Sequence, residues 1–408
     1  MSEPRGDPGE VPSDEVPPGD VPSGDVPSGD VRSIDVMLRE IETIPEVIAD
    51  QVEALRGPIR ELVAELAGTG DLAAAAPEIV LTGCGDSHFA GLATRLAFER
   101  DAGVRCRAVE ALELTRYELR YVPLEPRPPV LVAVSYSGEV GRTIEAAATA
   151  ERFGWTSVAF TGQPDGRLAR ASGRSILMDV PTLGFSPGTS TYVAMIVALL
   201  TLAAELARAR GRMDGAQRIE RALGAAPELA SRTLALAAEP AGAVAEMLAG
   251  ALVSTFLGSG PSHAAAAFGA AKLFEGPQRY GVVQDLEEWA HEQYFVSGPG
   301  TPVVVVAPAG ASRNRAGELL DEMAFIDAPA ALVSDVVDDR VAAIARHVLP
   351  LAAGLDEAHS PILAALPMAL VAFHLAERLG TRSYGFPSPE HEREHYATIH
   401  RDSRAEPA

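Results

Sequence analysis

The chain has 408 residues, 47% of them hydrophobic, which is material for two or three domains with sizeable cores. Its formal net charge of -22, with no Lys/Arg-rich run, excludes a nucleic-acid partner held by phosphate neutralisation. Two cysteines, Cys84 and Cys106, have no metal-ligand spacing and read as buried thiols of a reducing compartment. No basic and apolar leader opens the chain and no apolar run is pure enough to span a bilayer, so a cytoplasmic protein without a membrane partner is expected.

Residues 1–33 are of low complexity. GDVPSGDVPSGDV repeats a Pro-, Gly- and Asp-rich unit that buries too little apolar surface to offset chain entropy, so a disordered tail is expected there. From Ile34, apolar positions three and four apart predict two or three amphipathic helices. From Glu78 the period changes. EIVLTG, VRCRAVE, PVLVAVS, TSVAFTG and RSILMDV are short β-branched runs separated by helical segments, the pattern of a parallel sheet covered on both faces. The apolar stretch TYVAMIVALLTLAAELARA, from Thr191, predicts a buried helix, because Glu205 and the arginines after it do not suit a bilayer. A polar helix over 214–238 links onward.

The pattern then recurs. Gly83-Cys84-Gly85-Asp86-Ser87-His88 follows the first strand, and Gly258-Ser259-Gly260-Pro261-Ser262-His263 follows LVSTFL, 175 positions later by subtraction. PVLVAVS is matched by PVVVVAP and SVAFTG by AALVSD, and each half closes with a long apolar helix, the second over 360–380. Four matches in one order at a nearly constant offset predict an internal duplication: two tandem doubly wound α/β units. The expected divisions are 34–212 for the first unit with its leading helices, 213–380 for the second, and 381–408 for a C-terminal tail.

In open parallel sheets ligands bind beyond the carboxyl ends of the strands. Three hydroxyl-bearing loops of the first half fall there: Asp86-Ser87, Ser135-Tyr136-Ser137-Gly138 and Ser186-Pro187-Gly188-Thr189-Ser190-Thr191. Each alone reads as a helix cap or turn; together they also read as an anion cradle of hydroxyls and free backbone N–H groups. Neither a dinucleotide fingerprint nor a Walker-type loop is present.

TGCGDSHFA, VAVSYSGEV and SPGTSTYVA, in this order, resemble a sugar isomerase (SIS) domain. The second half resembles its partner in the isomerase moiety of glutamine–fructose-6-phosphate aminotransferase and related phosphosugar deglycases. The resemblance spans roughly 34–380. It implies that Ser87, Ser135, Ser137 and the backbone of Tyr136 hold a substrate phosphate. A family threonine falls on Val140, so Thr143 is the candidate for the missing contact. Ser190 and Thr191 of the third loop are candidates for the sugar itself. AFGAAKLFEGPQRYGVVQDLEEWAHEQYF resembles the segment that supplies a lysine, a glutamate and a histidine, which places those roles on Lys272, Glu275 and His291. On the residues alone, Lys272 and Glu275, i and i+3, read equally as a surface ion pair.

Two departures stand out. A family glutamate is Phe268 here, and the family's C-terminal ring-opening lysine has no match, since no lysine follows Lys272. The N-terminal tail stands where the aminotransferase has its glutaminase, so synthesis would draw on free ammonia. His391-Glu392-Arg393-Glu394-His395 fits H-E-x-x-H, but a short polar tail, not a helix with a buried face and an open cleft, argues for solvated residues or a lid carrying His391, His395 or His400 over the sugar, not a metal site.

The resulting expectation is a phosphosugar enzyme performing aldose–ketose isomerisation of a hexose or amino-hexose phosphate. It needs no cofactor or metal, and it works as a homodimer with a composite site. Its rivals are a deglycase, deaminase or ammonia-dependent aminating isomerase on a phosphorylated amino sugar, and a phosphosugar-binding regulator without turnover.

Overall fold

The structure, a computed structural model, describes residues 34–68, 76–119, 128–336 and 338–401. The expected disordered tail lies outside them. Two helices lead the chain, α1 (Ile34–Glu42) and α2 (Ile44–Gly68). The first half then runs β1 (Ile79–Gly83), α3 (Asp86–Ala97), β2 (Cys106–Glu110), β3 (Val130–Val134), α4 (Gly141–Arg152), β4 (Thr156–Thr161), β5 (Arg174–Leu177) and α5 (Ser190–Ala209). A 37-residue helix, α6 (Met213–Ala249), carries the chain across. It is longer than the polar stretch expected, because its second part trades charges for Ala, Val and Leu without losing the helical period. The second half follows: β6 (Val253–Leu257), α7 (Pro261–Glu275), β7 (Tyr280–Gln284), α8 (Leu286–His291), β8 (Val303–Val306), α9 (Arg313–Phe325), β9 (Ala330–Ser334), β10 (His347–Pro350) and α10 (Pro361–Leu379). The tail ends in α11 (Pro389–His400).

Both sheets are parallel and five-stranded, in the orders β2-β1-β3-β4-β5 and β7-β6-β8-β9-β10. These are one topology used twice. The strands of the second sheet start 173 or 174 residues after their counterparts, by subtraction of start positions. The backbone agrees in detail: Gly85 and Gly260, each preceding the helix after the first strand of its half, have φ of 55° and 58° and ψ of -128° and -133°. Only glycine adopts that conformation without strain, which explains the second Gly of each G-x-G.

Strand alternation sorts the cores. Ile79, Leu81, Val130, Val132, Val158 and Phe160 face inward and join one continuous cluster with α2, α5, α6, α7 and α10 and with the inner face of the second sheet. Val80, Leu131, Ala133 and Ala159 face outward under α4, and Val303, Val305 and Leu332 do so under α9. Helices α5 and α10 are long and apolar enough to cross a membrane by composition; here most of each is buried between the sheets.

A charged joint links the halves. Asp101, whose carboxylate is wholly buried just after α3, accepts from Arg218 of α6 (2.8 Å), from the adjacent Arg100 (2.9 Å) and pairs with buried His359 before α10 (3.1 Å). Arg100 also reaches Asp356. Burial pushes the Asp101 carboxyl up, but His359, Arg100 and Arg218 override it and hold it well below the usual carboxylate range.

Candidate functional site

The three loops of the first half gather at the carboxyl end of β1, β3 and β5. In the second loop, Ser135 is buried and Ser137 is exposed, their hydroxyls 3.5 Å apart. Gly138 donates its N–H to Ser135 Oγ (3.2 Å) and Glu139 donates to Ser137 Oγ (3.4 Å). Gly138 has φ of 67°, and a Cβ there would stand 2.9 Å from Thr161 Oγ1, so the turn requires glycine. The Tyr136 hydroxyl donates to the Val180 carbonyl at 2.7 Å, and the Tyr136 carbonyl accepts from Gly162 N at 2.9 Å, which anchors the loop. Ser87, on the first turn of α3, approaches Met195 Sδ at 3.4 Å. The third loop is tied to α1: Ser186 Oγ and Leu183 N donate to the buried Glu40 carboxylate (2.9 and 3.2 Å), whose proton affinity burial raises.

Thr143 is fully buried on α4, and its hydroxyl faces Sγ of Cys84 in the first loop at 3.8 Å.

The second half contributes α7. Lys272 is the only lysine of the chain, and it is fully buried. Its ammonium donates to Glu275 Oε2 (2.5 Å) and, across the halves, to Asp86 Oδ2 (2.7 Å). It also stands 5.0 Å over the Phe268 ring, which stacks on Tyr192 (centroids 4.3 Å apart, 17° between planes). The family's glutamate is therefore replaced by the apolar floor under the ammonium. Burial alone would lower the pKa of Lys272, but Asp86 and Glu275 more than offset it and hold it above the ordinary lysine value. Burial raises the Glu275 carboxyl to about 7; Lys272 opposes the rise and Asp86 adds to it.

Several polar atoms around this cluster are buried without a hydrogen-bond partner among the described residues: Asp86 Oδ1, Thr189 Oγ1, Ser190 Oγ and the Tyr192 hydroxyl. Thr191 lies beside them, since a Cβ on Gly188 would stand 3.0 Å from Thr191 Oγ1 and 3.1 Å from Asp86 Oδ2. Orphaned buried donors and acceptors are costly unless a ligand or water meets them.

His291 is not brought to this cluster. It ends α8, is largely exposed, and pairs with Glu287 at 3.2 Å, which Arg315 also holds.

The H-E-x-x-H stretch lies on α11: Ser388 caps the helix by accepting from His391 N (3.3 Å), Pro389 occupies the first turn, and Glu390 and Glu392 suit the positive end of the helix dipole. None of its residues is buried, and no group of three or more metal-capable side chains occurs among the described residues. The helix lies against the second and third loops. Arg142 and Arg167 donate to the carbonyls of Arg401 and His400 (both 2.8 Å), and Tyr396 packs on Phe185. His391 bonds Ser388, and His395 packs on Phe386 and Tyr396. The tail residue that meets the ion pair is instead Tyr384, whose hydroxyl donates to Glu275 Oε2 at 3.4 Å and whose N–H donates to the Glu275 carbonyl at 2.7 Å.

Sequence reading missed Asp86 as the partner of Lys272, Tyr384, and the anchoring role of Glu40. One signal for the first was available: a chain that uses arginine nearly everywhere keeps a single lysine.

Two duplicated parallel sheets, with hydroxyl loops of one half meeting a buried lysine–carboxylate cluster of the other, define a double α/β fold of doubly wound halves. Residues 72–205 match the SIS domain family, and the second half of the chain repeats the topology of the first. Glutamine–fructose-6-phosphate aminotransferase of Pseudomonas putida is 27% identical over 350 residues, covering 85% of this chain and 56% of that protein. The chain thus spans about half the length of the curated relatives it matches. Among solved structures, the C-terminal domain of glucosamine-fructose-6-phosphate aminotransferase from Francisella tularensis has a TM-score of 0.74 at 22% identity, covering 85% of this chain and 97% of that one. Tagatose-6-phosphate ketose/aldose isomerase from Escherichia coli has a TM-score of 0.66 at 19% identity, covering 86% and 95%.

Proposed function

We propose that the chain processes a phosphosugar, and specifically that it isomerises an aldose and a ketose form of a hexose or amino-hexose phosphate. The observation that carries this reading is the Asp86–Lys272–Glu275 cluster, buried against the hydroxyl loops. Isomerisation needs a base that removes a carbon-bound proton beside a carbonyl and returns it to the neighbouring carbon, and a donor for the carbonyl oxygen. Glu275, with its proton affinity raised toward neutrality, suits the first task, and Lys272 and the Tyr384 hydroxyl are donors at the same place. The step is redox-neutral overall and calls for no co-reactant. Incubation with a panel of hexose and amino-hexose 6-phosphates, followed by proton NMR, tests it: interconversion of an aldose and ketose pair supports the reading, and inertness toward the whole panel removes it.

One observation favours a second reading, a deaminase or deglycase on an amino-sugar phosphate. Two carboxylates surround one ammonium, so the reacting end carries an excess negative charge that a substrate ammonium would complement. Ammonia release from the amino-sugar members of the same panel marks that outcome.

The phosphate is assigned to the second loop, with the N-terminal turn of α4 aimed at the same anion. Ser135→Ala combined with Ser137→Ala should weaken binding of the phosphorylated substrate by about 2–4 kcal/mol, the worth of two charge-assisted hydrogen bonds. Titration calorimetry reads it; unchanged affinity in a folded protein reduces the serines to turn residues.

His291 is assigned to the site of a neighbouring subunit, where it would assist ring opening or relay a proton. Support comes from its exposure near large uncovered apolar side chains, Phe295 at 77% and Val296 at 76%. Mixing His291→Ala chains with Glu275→Gln chains, each inactive, should restore part of the activity. A monomer in sedimentation that turns over fully would contradict the composite site.

A further inference from the structure

The Lys272 ammonium is shared between two carboxylates that reach it from opposite halves, 186 positions apart in sequence. A buried Lys–Glu pair by itself makes a poor base, because a cation in contact with a carboxylate favours its ionised form. Here the second carboxylate stands 2.7 Å from the same nitrogen. We propose that Asp86 is a positioning residue that shares the Lys272 ammonium with Glu275 and partly neutralises it, and so keeps Glu275 basic enough to take a carbon-bound proton. This rests on the reading of Glu275 as the base.

Three observations support it. The arrangement is not a requirement of the fold: 175 positions on from Asp86 stands Pro261, and 175 positions back from Lys272 stands Ala97, so the duplicate edge of the second half lacks it. Asp86 also lies beside the third loop, where a Cβ on Gly188 would stand 3.1 Å from its Oδ2, and its other oxygen is buried without a hydrogen-bond partner among the described residues. It is therefore placed between the substrate-facing loop and the ammonium, at the first turn of α3. Finally, among the described residues the phenols that face the cluster are kept neutral by burial: Tyr384 from the tail and Tyr192 from α5. Among the groups acting on Glu275, Lys272 and Asp86 carry the charge.

The single lysine makes the test direct. Protein labelled with [13Cε]-lysine gives one side-chain resonance, and its pH titration reports the carboxylates around Nζ. Wild type should show an inflection near pH 7, and Glu275→Gln should abolish it. In Asp86→Asn the inflection should move down by about one pH unit, and activity at pH 6 relative to pH 8 should rise about fivefold with it. Asp86→Ser, a residue suited to a helix start, gives the same readout should the amide variant not fold. A wild-type resonance flat between pH 5 and pH 9 overturns the proposal, as does an inflection that stays in place in either folded Asp86 variant while activity falls equally at all pH values. Normal turnover by Glu275→Gln would instead remove the base assignment, and the resonance would still report on Asp86.

Discussion

Glu275→Gln should keep the fold and phosphate-dependent binding while turnover falls by about 10²–10⁴-fold, the range of a lost general base. The amide has the same shape and can still accept from Lys272, so the packing under α7 is preserved. It cannot accept a proton. The wild-type pH dependence follows from the direction of the shift. The Glu275 pKa is raised to about 7, so the carboxylate form is depleted below that pH and dominates above it. Turnover should rise with pH through 7 and flatten above. Stopped assays across pH 5 to 9 check both points; a variant with near-wild-type rates would pass the role to another residue of the cluster or the tail.

Asp101→Ala should cost about 3–5 kcal/mol of stability, because it strands Arg100, Arg218 and His359 around a buried vacancy. Its sign with pH is fixed as well. The folded pKa is depressed, so the contribution is fully present above the ordinary carboxylate value near pH 4 and is lost as pH falls toward the folded one. Thermal unfolding should therefore show the gap between wild type and variant narrowing below about pH 4. An equal Tm for the two proteins at pH 7 would reduce the joint to ornament on an interface held by the apolar core.

The repeated topology was legible because it rests on local signals. β-branched runs of period two and glycines forced to positive φ are written in the chain, and they recur at a fixed offset through Gly83–His88 and Gly258–His263. The serine loops were legible for the same reason. The ion-pair partners were not. Asp86 and Lys272 meet only when the two halves pack, and nothing in the spacing of 186 positions marks the pair. The helix of the tail had local start signals, Ser388, Pro389 and Glu390, beneath its high charge. Tyr384 gave no local signal at all; its contact with Glu275 is set by the route of the tail.

The most direct measurement is solvent exchange. Each member of the hexose and amino-hexose 6-phosphate panel is incubated with the protein in deuterated water, and the C1 and C2 protons are followed by NMR. With a carboxylate base in the cluster, one member should lose its C1 or C2 proton signal as deuterium enters, at a rate that vanishes in Glu275→Gln. Conversion of a panel member with no deuterium at either carbon, or exchange that survives unchanged in Glu275→Gln, would contradict proton abstraction by Glu275.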